Sequence, residues 1–474
     1  MKSSEEKSEK KYESNWESLN TRPCPEWFPN AKFGIFISWG AFSVPAYKPD
    51  SGYAEWIGHP GRGWMNDPFI KANFGENVVY DDFANQFKAE LYDPNQWAEI
   101  IQKSGAKYVF LTAKYHDGFC LWPSSYATNG KTNTWHAGSM GPKRDLVGPF
   151  CDAMRAQGLF TGLYFSLHEW FHPLCGNYTD DFFYCKEPER FAREHMHPQF
   201  KEMVNLYKPD LIFADGDTIS PEKWSTAEMI AWLYNESPVK DAVVINDRCG
   251  FWTDEKYGRG KIGDYYTTEY GFGLMLEGNT KPWEESRGIG TSYGYNRREN
   301  IDVYASSAEL IATLIEIVSK GGNLALDIGP TADGRIPVIM QERLLDIGAW
   351  LAVNGEAIYG TKKWIRPNEE GDTSFQVSNE DFKFDGTEIK PAKTNTICFT
   401  QKDSQIFVIC VGWPGETIEF EPDDVKEIKR ISMLGLNEDI SWRYENGLLR
   451  IPVPQLTLDK LPCSHAWSFK IETN

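Results

Sequence analysis

No run of eighteen apolar residues occurs anywhere in this chain of 474 residues, so no segment reads as a membrane-spanning helix, and no secretory leader is expected within it. Basic charge is in short supply: 49 Lys and Arg stand against 68 Asp and Glu, a net charge of −19. A nucleic-acid partner requires a basic footprint, and an anionic membrane requires a basic face; neither is expected here. The nine cysteines form no CxxC pair, which argues against a zinc ribbon or a thioredoxin-like site. Their odd number leaves at least one outside intrachain pairing, and Cys175 and Cys185 either bridge or stay as buried thiols. HExxH, Walker and GxSxG motifs are absent, as is any internal repeat.

What the chain does have is apolar and aromatic side chains, 41% and 14% of the residues, with 18 Trp and 22 Tyr. That is enough for a large core and, in part, for platforms on which sugars stack. Residues 2–14 are polar and charged and read as a disordered tether. A start Met before such a tether is what a chain relieved of an export signal would show, so a periplasmic or extracellular location is the expectation. Asn177-Tyr-Thr and Asn235-Glu-Ser have the form of glycosylation sequons.

Short apolar runs alternate with amphipathic stretches. Strands are expected at 33–40, 107–113, 159–166, 211–213, 242–247, 265–269 and 323–328, with a seventh placed at 288–293. Helices are expected near 94–104, 146–157, 226–234, 307–319 and 340–353. This order predicts a parallel α/β fold, a (β/α)₈ TIM-like barrel over 25–360 behind a polar tether of 1–24. A doubly wound sheet is the alternative, but Ser38-Trp-Gly-Ala after the first strand is no phosphate-binding turn. From 361 to 474 the β-rich runs at Thr396, Gln405 and Leu448, with turn residues between them, predict a β-sandwich.

The run Leu211-Ile-Phe-Ala-Asp215-Gly-Asp217 changes abruptly from apolar to acidic, which puts Asp215 at a strand's C-terminal rim, where barrel enzymes do their chemistry. Any one such residue is more often a cap or a turn former. Here, however, polar groups follow successive strands: Tyr115-His116-Asp117, Tyr164 with His168-Glu169-Trp170, Asp215, Asn246-Asp247-Arg248 and Glu269. Glu55-Trp56 lies in an early loop. A structural charge has no reason to prefer one rim. Two carboxylates among aromatics, with no cofactor or metal motif, point to glycoside hydrolysis.

The segments Trp27–Gly40, His116-Asp-Gly-Phe119, Leu163–Ser166, Lys208–Asp215, Asn246-Asp-Arg248, Pro282-Trp-Glu284, Tyr293–Asn296 and Gly321–Pro330 together resemble the α-L-fucosidases of glycoside hydrolase family 29. The resemblance implies a catalytic barrel, a C-terminal β-sandwich and a retaining exo-hydrolase of terminal α-L-fucosyl residues that needs no cofactor or metal. It places the nucleophile on Asp215 and the acid/base on Glu269, with Glu284 as the competitor. Ser38, Glu55, Trp56, Tyr115, His116, Tyr164, Phe213 and Arg248 fall on sugar-binding positions. The family usually has His at Ser38 and His-His at Tyr115-His116, and often Trp at Phe213. A changed sugar preference, for a modified fucose or a galactoside, is therefore one alternative, and a barrel that binds a carbohydrate without turning it over is another. The expected partner is a fucosylated oligosaccharide or glycoconjugate.

Overall fold

The computed structural model describes residues 11–49, 52–176, 184–250, 255–270, 280–368, 396–422, 425 and 427–474. Eight parallel strands, β1 (Phe33–Ile37), β2 (Tyr108–Lys114), β3 (Phe160–Ser166), β4 (Leu211–Asp215), β5 (Val244–Ile245), β6 (Tyr266–Glu269), β7 (Trp283–Gly288) and β8 (Asn323–Ile328), form one curled sheet. Their order is β5-β4-β3-β2-β1-β8-β7-β6, and a parallel bridge between Asn246 and Tyr265 joins the two edges, so the sheet closes on itself as a barrel. Helices at Pro94–Lys103, Val147–Ala156, Thr226–Asn235, Ser307–Ser319 and Val338–Asn354 lie within a residue or two of the expected spans.

The barrel is filled in layers. Period-2 alternation points Gly34, Phe36 and Ser38 inward from β1 and its extension, while Phe33, Ile35 and Ile37 meet the helices. In the lowest layer Tyr108 lies against Gly34, where a Cβ would sit 2.3 Å from its ring, so only glycine fits there. Phe28, on the short helix Trp27–Ala31, packs against Tyr108 and Tyr265 at this end. In the middle layer Phe36, Phe110, Tyr164 and Phe213 stack nearly parallel, with centroids 4.5 Å apart for Phe36–Phe110 and 5.2 Å for Phe110–Phe213. One pleat above Phe213 stands Asp215.

The seventh strand is Trp283–Gly288, not 288–293 as the sequence predicts. Its run WEESRG looks like a loop by hydropathy, yet all six residues are buried. Glu284 points into the barrel and accepts from the Tyr108 hydroxyl at 2.5 Å. Glu285 faces outward and pairs with Arg287 at 2.7 Å, beside Glu316 and Lys320. Glu284 is compensated by Tyr108, far away in sequence, and Glu285 and Arg287 by each other within the strand; a hydropathy pattern shows neither kind of pairing.

Residues 2–10 of the expected tether, and the Asn177 sequon, lie outside the described residues. From Tyr12 onward the segment packs on the barrel: Tyr12 exchanges backbone hydrogen bonds with the Asn235 side chain, and Arg22 pairs with Asp264 at 2.8 Å. Tyr12, Trp16 and Leu19 are buried, and their apolar surface outweighs the polar composition that reads as a tether.

After Asn354 the chain builds two antiparallel sheets. The larger one runs β13 (Ile428–Met433), β16 (Ala466–Thr473), β11 (Gln405–Val411), β10 (Ile397–Lys402) and β9 (Lys362–Asn368). The smaller comprises β12 (Thr417–Phe420), β15 (Leu448–Pro452) and β14 (Arg443–Glu445). β11 is buried on both faces. Ile406, Val408 and Cys410 point into the sandwich core, while Phe407, Ile409 and Val411 join the barrel's core. All nine cysteines are free thiols, Cys175 and Cys185 included. Among the described residues no helix is long and apolar enough to cross a membrane.

Candidate active site

Asp215 ends β4 with its side chain 17% exposed, the partial access a nucleophile requires. Its Oδ1 accepts from Arg248 Nη1 at 2.9 Å and its Oδ2 from the Tyr164 hydroxyl at 2.5 Å. His116 Nε2 lies 3.6 Å from Oδ2. Burial alone would raise this carboxyl, but the Arg248 guanidinium foremost, then His116 and the Tyr164 hydroxyl, hold it down at about 2. Burial pushes His116 down to about 4, so this imidazole is neutral at pH 7, and there the guanidinium and the phenol keep Asp215 ionised.

Arg248 follows β5 and is itself buried. Its Nε donates to Thr267 Oγ1 at 2.9 Å and its guanidinium lies over the Phe213 ring at 5.2 Å. Nη2 donates to Glu269 Oε2 at 3.1 Å, so one guanidinium holds Asp215 on one arm and Glu269 on the other. Glu269 ends β6 on the inward face that Thr267 shares, its side chain 25% exposed, and its other oxygen accepts from the Tyr53 hydroxyl at 2.8 Å. The one guanidinium thus ties the ends of β4 and β6 together at the same mouth.

Glu284 is not brought to this pair. Burial pushes its carboxyl up to about 8, which suits a proton donor, but it is 0% exposed in the lowest barrel layer with Tyr108 as its partner. A group that protonates a glycosidic oxygen must reach it.

The remaining expected residues line or support the same mouth. Phe213 is its floor. Tyr115 stacks on Tyr164 at 5.8 Å and meets the His116 ring at a tilt at 4.4 Å. Trp56 stacks on His59 at 5.5 Å and meets His116 edge-on at 6.1 Å. Glu55 is buried; its Oε2 accepts from the Gly294 amide at 3.0 Å and from Ser292 Oγ at 3.2 Å, and burial raises its carboxyl to about 7. Ser38 donates to Asp327 Oδ2 at 2.8 Å, and burial pushes the Asp327 carboxyl well up. Among the described residues no cluster of His, Cys, Asp or Glu is arranged to hold a metal ion.

Sequence reasoning missed Tyr53, which shares the 52–58 segment with Glu55 and Trp56, and Trp170, whose ring meets His59, His116 and Trp56 within 5.1–5.8 Å. Trp170 was legible as the last residue of His168-Glu169-Trp170. The loop that carries it is fixed from below by Lys114, whose Nζ donates to Glu169 Oε1 at 2.5 Å while His195 Nε2 lies 2.8 Å from the same oxygen.

Known proteins resemble this chain along nearly its whole length. The family model described as "Alpha-L-fucosidase" matches residues 1–356, and "Alpha-L-fucosidase C-terminal domain" matches 390–472. Tissue alpha-L-fucosidase of Homo sapiens is 38% identical over 467 residues, covering 98% of this chain and 92% of that protein. The Rattus norvegicus counterpart is 37% identical over 465 residues, covering 97% and 92%. Among solved structures, Thermotoga maritima alpha-fucosidase in complex with fucose superposes with a TM-score of 0.77 at 34% identity, covering 97% of this chain and all of that one.

Proposed function

This chain belongs to the α-L-fucosidase family, and we propose that it removes terminal α-L-fucosyl residues from glycans by double displacement, with Asp215 as nucleophile and Glu269 as acid/base. The observation that carries the assignment of roles is Arg248 donating to both carboxylates. Asp215, ionised at neutral pH, attacks the anomeric carbon while Glu269 gives its proton to the departing oxygen. The products are a glycosyl ester on Asp215 and an ionised Glu269. Glu269 then takes a proton from water, the water attacks the anomeric carbon, and Asp215 leaves as carboxylate. Negative charge thus passes from one arm of the Arg248 fork to the other and back, and the guanidinium stays next to it in both half-reactions.

The aromatic floor and walls supply apolar contact for one sugar ring, and Glu55, Tyr115, His116 and Tyr164 supply polar contact. A second reading, a fucose-like sugar with a different substituent, draws on Ser38, whose hydroxyl is engaged by Asp327. An enzyme acting on such glycan ends from a periplasmic or extracellular space is part of this proposal, and cell fractionation tests it. The decisive assay is aryl α-L-fucoside hydrolysis by Asp215→Ala. The proposal expects a loss of three or more orders of magnitude (~10³-fold), partly recovered on adding azide, with a fucosyl azide of inverted configuration as product. Wild-type activity retained in Asp215→Ala would refute the assignment.

A further inference from the structure

Ser166, the last residue of β3, sits beside Asp215 in the β3–β4 register and has no role in the scheme above. Its Oγ lies 2.6 Å from His116 Nδ1 and 2.6 Å from the His168 carbonyl oxygen. The hydroxyl carries one proton, and a carbonyl oxygen can only accept. The proton on Ser166 Oγ therefore goes to His168, and Oγ accepts from His116 Nδ1–H. In the neutral imidazole the lone pair is then on Nε2, the nitrogen 3.6 Å from Asp215 Oδ2.

This places two acceptors, Nε2 and the nucleophile's oxygen, side by side at the point of attack. A sugar whose anomeric carbon meets Asp215 brings its C2 hydroxyl to the same place. As positive charge develops on the ring, that hydroxyl becomes a better donor, and a bond to a lone pair strengthens in the transition state. We propose that Ser166 is a positioning residue that fixes the tautomer of His116 and so makes Nε2 the acceptor for the sugar's C2 hydroxyl. The proposal rests on the hydrolase reading above.

The surroundings agree with it. The charged and titratable groups facing His116 are Asp215 and Arg248 from β4 and β5, His168 from the β3 loop, His59 from the early loop, and the phenols of Tyr115 and Tyr164. Burial keeps His116 neutral among them above about pH 4. Space around Ser166 is fixed as well: Gly216, at φ +79°, would set a Cβ 3.3 Å from Ser166 Oγ and 3.0 Å from His168 Cβ.

Two measurements test the inference. The first compares kcat and KM of Ser166→Ala and Ser166→Thr on an aryl α-L-fucoside and on its 2-deoxy counterpart. For Ser166→Ala we expect kcat on the fucoside to fall ~10- to 100-fold, the usual effect of removing a partner that orients a functional imidazole. KM should be little changed, the 2-deoxy substrate should lose less than about threefold, and Ser166→Thr should stay close to wild type. Equal losses on both substrates would overturn the proposal and assign Ser166 a structural role only. The second measurement reads the tautomer in the wild-type protein itself: ¹⁵N NMR of the chain labelled at its eight histidines, with His116→Gln used only to assign the signal. The proposal requires a pyridine-type Nε2 and a pyrrole-type Nδ1 for His116 at pH 7; the reverse pattern would overturn it. If wild type turned over no fucoside, the hydrolase reading would fall, while the NMR result would still report the tautomer.

Discussion

Replacing Arg248 with methionine removes the guanidinium while keeping much of the apolar stem over Phe213. Asp215 then loses the foremost of the groups that hold its carboxyl at about 2, while the burial that raises it stays. Its acidity should return at least to the ordinary 3.8 and, with the site still buried, go past it. A rise of about two pH units corresponds to ~2.5 kcal/mol of lost preference for the ionised nucleophile. The acidic limb of kcat/KM for an aryl fucoside with a good leaving group reports the free enzyme's nucleophile. In wild type that limb lies at or below about pH 4, where His116 also titrates. In Arg248→Met it should move upward, to ~4 or above, with a lower plateau because the two carboxylates are no longer held on one fork. Two carboxylates left without their cation also cost about 3–5 kcal/mol of stability, so the variant is assayed well below its melting temperature. A variant profile that is a scaled copy of the wild-type curve would refute the claim that Arg248 keeps Asp215 ionised.

Other consequences are open to simpler measurements. Glu269→Gln should lose most activity on natural glycans and much less on aryl fucosides whose leaving group needs no proton, whereas Glu284→Gln should leave the rate ratio between these substrates unchanged. Lys114→Met leaves Glu169 buried beside His195 without its cation and should lower stability by about 3–5 kcal/mol in urea unfolding. Acid stability follows from His116 and His172, both pushed to about 4 by burial. An unfolded chain binds protons at these histidines from about pH 6.5 downward and the folded chain does not, so their contribution lowers stability between pH 6.5 and 4, against the buried Glu55 and Glu284, whose raised carboxyls act in the opposite sense. Relative to wild type, His116→Gln should therefore gain in urea midpoint as pH falls through that window.

Much of the barrel was legible because its strands are apolar, short and separated by amphipathic helices; β8 and the helix Ser307–Ser319 carry the expected bounds. β7 was not legible, since Glu284, Glu285 and Arg287 are buried by virtue of Tyr108, Thr268 and one another. The candidate site was readable where a motif and a strand end coincide, as at Asp215, Arg248 and Glu269. Tyr53 was not, because its hydrogen bond reaches across the barrel mouth from a loop of 3-10 turns to β6. Ser166 was visible as a residue of Leu163–Ser166, but its role depends on where one proton lies between His116 and the His168 carbonyl, and no sequence pattern encodes that.

The most direct test of the central claim is to trap the ester. A 2-fluoro-fucosyl fluoride should inactivate the enzyme with one sugar bound per chain, and mass spectrometry of the peptides should locate that sugar on Asp215 within the Leu211–Asp217 stretch. A label on Glu269, on Glu284 or on any residue outside that stretch would contradict the account.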